Sequence, residues 1–444
     1  MQSMSKFLYP RDLSRSLSKV WSSSSFTKGW PTVELPAQKT LKELLDVCYH
    51  ASFLVEESRP VTFRAVFIEK TTPIKPLGVD NSYPTELYIF DAPLPFTAAE
   101  LRRLAPAADL TRVLIAIKCT DEVSGALGIV GLVDIGSSLW AMSRHERPMG
   151  HMLPDALIIA VTKPGQLTIS RGSRPVIRLV DGGLAVPAGN VFLRGPVGDF
   201  FGEAAYWFVE KACELASQTY NEEEQNDDLT FAYNTFLELL LFSATALGHG
   251  GTILFVSDEL SHDDPRLLNR VNIKYPTPSS RPKEVLLHKM AIRLQWQKQY
   301  SALYEKKTVS NNSFQNLDAL DYAQQTAVDA VRDLAKFIAG LTAVDGAVLL
   351  TDRLRLLGFG AEVLTEGRKT EAVRSATSEL AGKFTEVPIS AFGTRHRSAF
   401  RFCSSLEPSV AFIMSQDGGV KAVRQVGRNL IMWPDFEIGY SAGF

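Results

Sequence analysis

Apolar residues Leu41, Leu44, Leu45, Cys48 and Leu54 recur at helical spacing across residues 40–56, and Pro60 closes that element before a strand carrying Val66, Phe67 and Ile68. Five short apolar runs follow, at 114–117, 128–133, 156–161, 167–169 and 176–180, separated by Gly, Pro and Asp turn signals. The pattern predicts a sheet with a few covering helices. A helix over 200–217 then gives way to the acidic run 221–228, which reads as a solvated linker and sets the expected domain boundary. Beyond it come an amphipathic helix (229–246), a glycine turn around His249 and an apolar strand (252–256). After turn-rich residues 276–282, helical patterns at 284–304 and 317–338, interrupted by the polar stretch 310–313, precede a last apolar strand, 348–350. The expected architecture is α/β in two domains. An N-terminal arm (1–30) leads into a sheet-rich first domain (31–220), and an acidic linker (221–228) joins it to a second domain (229–435). The second is expected to be a mixed sheet flanked by helices, with a helical insertion at 282–340.

Length supports two domains, because 444 residues exceed what one hydrophobic core ordinarily serves. Hydrophobic residues make 45% and charged residues 22%, with a formal net charge of -2, so the chain is globular and lacks the broad positive field of a nucleic-acid binder. Cys48, Cys119, Cys213 and Cys403 are scattered and form no CxxC pair, which argues against a zinc knuckle or disulfide framework and for a reducing, cytoplasmic setting. No apolar run approaches the ~18 residues that span a bilayer. The longest, 237–247, contains Glu238, Ser243 and Thr245, so no membrane partner is expected. Residues 1–30 carry Arg11, Arg15, Lys19 and a serine run with Asp12 as the only acid, but no apolar core of a secretory signal.

Two clusters carry chemistry. Asp345-Gly346-Ala347 stands at the mouth of the strand 348–350, where a carboxylate could hold a divalent cation beside a sugar hydroxyl; the alternative is an ordinary turn before a strand. Gly393-Thr394-Arg395-His396-Arg397 offers planar forks, a hydroxyl and backbone donors to phosphate oxygens; the alternative is an exposed basic turn at a helix start. Other histidines earn no role: His262-Asp263-Asp264 reads as a solvated turn, and Gly358-Phe359-Gly360 lacks the third glycine of a dinucleotide fingerprint.

Residues 344–350 with 358–361, then 393–399, then 410–419, together resemble the diadenylate cyclase domain, over about 229–429. The resemblance implies an α/β fold that condenses two ATP molecules into cyclic di-AMP with release of pyrophosphate and use of Mn2+ or Mg2+. It further implies that Asp345 binds metal and activates the hydroxyl, that Gly346 and Ala347 shape the nucleotide site, and that Thr394, Arg395, His396 and Arg397 grip ribose and phosphates beside Gly393. Ser415 matches the serine of the family's SEE segment, while Gln416 and Asp417 stand where two glutamates are usual, leaving Asp417 as the second metal carboxylate. Because each subunit of that family supplies half a site, self-association is implied. Two alternatives stay open: a nucleotide-binding sensor that is catalytically weak or silent, and a cyclase making a different cyclic dinucleotide.

The first domain resembles the probable sensor domains, class DACNV, that precede some bacterial diadenylate cyclase domains, chiefly around residues 153–170. Residues 154–167 also run parallel in pattern to 408–420, with Arg144-His145-Glu146-Arg147 ahead of the first as Arg395-His396-Arg397 is ahead of the second. Either the first domain is a decayed relative of the second, or two strand-turn-strand segments look alike by chance.

Overall fold

The computed structural model describes residues 7–21, 34–68, 86–108, 110, 113–121, 125–135, 156–172, 174–180, 182–185, 190–218, 222–304, 311–364, 371–415, 419–434 and 436. It is mixed α/β, with two large sheets, each in its own compact unit. The first unit contains α1 (Pro10–Trp21), α2 (Gln38–Ala51), β1 (Val55–Glu56), β2 (Arg59–Pro60), β3 (Phe63–Phe67), β4 (Glu86–Pro95) and α3 (Ala98–Leu104). It continues through β5 (Val113–Cys119), β6 (Leu127–Asp134), β7 (Leu157–Lys163), β8 (Gln166–Arg171), β9 (Arg174–Val180) and β10 (Gly183–Ala185). The second begins with α4 (Gly195–Leu215), α5 (Glu222–Ala246), β11 (Gly251–Val256), α6 (Pro265–Leu268), β12 (Val271–Ser279), α7 (Arg281–Tyr304) and α8 (Asn311–Leu341). It ends with β13 (Ala347–Thr351), β14 (Leu356–Val363), β15 (Ala372–Ala376), β16 (Phe384–Pro388), α9 (Thr394–Ser405), β17 (Ser409–Met414), β18 (Val420–Val426) and β19 (Asn429–Trp433).

In the first unit the eight-stranded sheet runs β10-β9-β8-β7-β3-β5-β6-β4. Phe63, Ala65, Phe67, Ile115, Ile117 and Ile159 alternate onto one face, which α1, α2 and α3 cover with Leu13, Leu17, Leu41, Leu44, Leu45 and Leu101. The alternate residues Val66, Leu114, Ala116 and Ile158 form a smaller apolar cluster on the other face. The described part of the N-terminal arm docks: α1 repeats Leu13, Leu17 and Trp21 at i, i+4 and i+8, and buries them in this core.

The nine-stranded sheet of the second unit runs β12-β14-β13-β11-β17-β18-β19-β15-β16. One face packs Ile253, Phe255, Val348, Leu350 and Phe412 against α4, α5, α7 and α8; the other packs Leu254, Leu349, Ala411 and Ile413 against α9. Two expectations change here. Residues 222–228 of the acidic run begin α5 instead of forming a linker. The division between units falls between β10 and α4, since Phe200, Phe201 and Phe208 of α4 join the second core. The helices expected at 282–340 are α7 and α8, whose Leu286, Met290, Leu334 and Ile338 complete that core, on the crossover that a parallel β11–β13 pair requires.

Strands β3 to β9 share chain order, spatial order and sense with β11, β12, β13, β14, β17, β18 and β19. In both sheets the first and third strands pair in parallel, and every other neighbouring pair of the seven is antiparallel. Hairpin β15–β16 is the second sheet's addition, and β10 the first's. Among the described residues no helix is long and apolar enough to cross a membrane.

Candidate functional site

The N-terminal mouths of β11 and β13 and the C-terminal end of β17 lie at one end of the second sheet, because Ile253 registers with Val348 and Gly251 with Met414. Asp345 and Gly346 sit on that rim. Gly346 has φ +113°, and a Cβ there would lie 2.5 Å from the Gly360 carbonyl carbon, so only glycine lets the rim press against β14. Gly360 itself has φ +62°.

A cleft of ≈ 410 Å³ opens at this rim and brings Asp345, Gly346 and Ala347 together with Thr394 and Arg395 across roughly fifty residues of sequence. It is also lined by Thr252, Lys274, Glu362, Ser398 and Arg401, which sequence reasoning missed. Thr394, Ser398 and Arg401 follow i, i+4, i+7 on α9, so helical periodicity from Thr394 would have found the last two. Lys274 and Glu362 belong to neighbouring strands β12 and β14, and no local signal marks them. The lining sets three cations, Lys274, Arg395 and Arg401, against the carboxylates Asp345 and Glu362. Helix α9 starts at Gly393 with no side-chain cap, so its first N–H groups add partial positive charge at the same place.

The consecutive Arg395-His396-Arg397 does not act as one cluster. Successive helical positions point about 100° apart, so three in a row cannot share a face. Only Arg395 lines the cleft. His396 falls on the stripe of Phe400 and Cys403, with its ring centroid 5.4 Å from Phe392 and 6.3 Å from Phe400. Burial, then the nearby Lys421 charge, push its pKa down to about 4, so the imidazole is neutral at pH 7. Its Nε2 is buried with no hydrogen-bond partner among the described residues. Arg397 and Ser415 lie outside the cleft lining; the Ser415 N–H donates to the Gly419 carbonyl at 3.0 Å, beside the end of β17. Gly393 is the helix cap. Gln416 and Asp417 lie outside the described residues, and so do Arg144, His145 and Arg147.

Asp345 and Glu362 are hard oxygen donors in one cleft with phosphate-binding cations, which suits a Mg2+ or Mn2+ held between carboxylate and substrate phosphates. They do not make a resident all-protein metal cage: among the described residues no three His, Cys, Asp or Glu side chains group to hold a metal.

A second polar network marks the opposite end of β11 and β13. Asp352 Oδ1 accepts from the Asp258 N–H at 2.8 Å and the Arg353 N–H at 2.9 Å, while Asp258 Oδ1 accepts from Thr351 and from Arg355 Nε at 2.8 Å. The Tyr233 hydroxyl donates to the Asp352 carbonyl. Burial, and next the Asp258 charge, push the Asp352 carboxyl up to about 6 against the lowering effect of its backbone donors.

Comparison with known proteins gives one family match. Residues 30–134 match the probable sensor domain DACNV. That stretch runs from ahead of α2 to the end of β6, upstream of the 153–170 segment on which the sequence resemblance rested. No curated protein matches the chain, and no solved structure matches it.

Proposed function

We propose that the second unit is a diadenylate cyclase, condensing two ATP molecules into cyclic di-AMP and pyrophosphate, with the first unit as its regulatory sensor. The observation that carries this reading is the cleft that joins Asp345-Gly346-Ala347 to Thr394 and Arg395. The sensor match at residues 30–134 supports it, since domains of that type typically precede diadenylate cyclase domains.

In this reading Arg395, Arg401 and Lys274 bind the triphosphate, with the open N–H groups of α9 adding donors. Gly346, pressed against β14, holds the rim that carries Asp345 at the mouth of the cleft. A bound Mn2+ or Mg2+ would neutralise charge on the phosphates and favour loss of the attacking hydroxyl's proton. Asp345 would hold that ion, with Glu362 in reach of the same cleft. One chain carries a single such cleft among the described residues, so the second nucleotide is presented by a second copy, and turnover requires self-association.

Incubating the purified protein with ATP and Mn2+ and analysing products by mass spectrometry tests the reading: cyclic di-AMP is expected. The place of His396, Arg397 and Ser415 outside the cleft lining favours a second reading, nucleotide binding without turnover. ATP bound tightly by a self-associated protein that yields no cyclic dinucleotide would select it. A product built from another nucleotide, in competition among all four, would select a different base specificity.

A further inference from the structure

A second cavity, of ≈ 220 Å³, opens in the second unit at the end of the nine-stranded sheet opposite the Asp345 rim. Val256 registers with Ser409, Val410 with Arg424 and Val426 with Asn429, which places the β18–β19 turn at that opposite end. The cavity is lined by Arg374, Glu386, Ser404, Gln425, Arg428 and Asn429, beside Ala372 and Leu430. Among the described residues it shares no lining with the candidate cleft.

Its polar groups are left open in a way that packing does not require. Val423 and Met432, close by on β18 and β19, are buried and apolar, yet Ser404 and Gln425 are only 6% and 7% exposed. A hydroxyl and an amide at such a depth cost free energy unless they are bonded. The Ser404 hydroxyl donates to the Arg401 carbonyl at 3.0 Å, and Gln425 Nε2 donates to the Gly427 carbonyl at 2.9 Å. Among the described residues, Gln425 Oε1 accepts from no donor. Arg428 lies exposed in the two-residue turn closed by Val426 and Asn429, and among the described residues it has no carboxylate partner. Arg374 faces Glu386 across the β15–β16 pair, through Nε alone and at 3.4 Å, with its guanidinium 4.5 Å from the Phe384 ring centroid. Its two terminal nitrogens have no hydrogen-bond partner among the described residues. So long and exposed an ion pair contributes little, and an oxyanion can join it or displace it.

We propose that this cavity binds a small phosphate monoester bearing hydroxyl groups, of the sugar-phosphate class. Arg374 and Arg428 present two guanidinium forks to the phosphate, while Glu386 and Gln425 Oε1 accept from the hydroxyl groups and the Asn429 amide donates to them. Two cations against one carboxylate leave the lining net positive, which selects an anion over a neutral sugar or a zwitterion. The volume lies below the ~300–1,000 Å³ of sites for drug-sized ligands, which suits a ligand smaller than a nucleoside triphosphate. The inference rests on this cavity alone, and stands whether or not the second unit is a cyclase.

The test uses the full chain carrying Arg395→Ala and Arg401→Ala, which strips the candidate cleft of its arginines. Ribose 5-phosphate and inorganic phosphate are titrated into it calorimetrically, without divalent metal and at matched ionic strength. Binding of both is expected, with ribose 5-phosphate the tighter. Adding Arg428→Gln should weaken both by at least about tenfold, with Arg428→Lys intermediate because it keeps charge but not the fork. Arg428 is exposed in a turn, so the melting temperature should not move. Glu386→Gln should lower the preference for ribose 5-phosphate over inorganic phosphate, because it removes a charged acceptor for hydroxyl groups and frees Arg374. Absence of binding by both probes, inorganic phosphate bound as tightly as ribose 5-phosphate, or binding unchanged by Arg428→Gln overturns the proposal.

Discussion

Replacing Asp352 by Asn tests how the half-buried carboxylate at the β13–β14 turn is held. The folded pKa of Asp352 is raised from its ordinary 3.8 to about 6, chiefly by burial. The folded chain therefore retains a proton that the unfolded chain has released. The stabilising contribution is full below the unfolded value and is lost as pH rises through about 6, above which a partly desolvated charge remains to be borne. That shift corresponds to at most about 3 kcal/mol, and partial solvent access lowers it toward ~2. Asn keeps an Oδ1 that can accept from the Asp258 and Arg353 N–H groups, and it removes a negative charge facing Asp258. Asp352→Asn should thus raise the unfolding free energy by about 1–3 kcal/mol near pH 7.5, and the gain should shrink toward zero near pH 4. Urea unfolding of wild type and variant across that range, followed by tryptophan fluorescence, measures it. A variant that is no more stable near pH 7.5, with the wild-type pH slope intact, would show that Asp352 is not carrying the strained charge.

Other substitutions probe separate links. Gly346→Ala puts a Cβ 2.5 Å from the Gly360 carbonyl carbon at φ +113°, so it should cost about 2–3 kcal/mol, read as a lowered melting temperature. Leu17→Ala opens a cavity beside α2 and β9 and should destabilise the first unit by about 2–5 kcal/mol in denaturant titration, whereas a loose N-terminal arm would predict no change. Arg401→Gln, on the cleft face of α9, should weaken ATP affinity by roughly ten- to a hundredfold by calorimetry with the melting temperature preserved.

Buried strands were legible in the sequence because continuous or alternating apolar residues mark them: β3, β5, β6, β7, β11 and β13 are all in place. Among the strands the apolar pattern did not mark, β4 and β12 lie at sheet edges and carry the proline-bearing runs DAPLP and YPTPS, the second of which overlaps the turn-rich stretch 276–282. Proline is tolerated there because an edge backbone has one side without ladder partners. Acidic residues 222–228 misled because charge density alone does not separate a linker from a first helical turn. At the site, Asp345 and Arg395 were legible as motifs, but His396 was grouped with its neighbours until the phase of α9 separated them. Lys274 and Glu362 enter only through strand pairing, which one sequence does not display.

The most direct test compares wild type with Asp345→Asn, supplying ATP and Mn2+ to each and quantifying cyclic di-AMP by mass spectrometry while ATP binding and melting temperature are followed in parallel. The account predicts product from the wild type only, with the variant folded and still able to hold nucleotide through Arg395 and Arg401. Product formation undiminished in Asp345→Asn, or its absence from self-associated wild type that binds ATP, would contradict it.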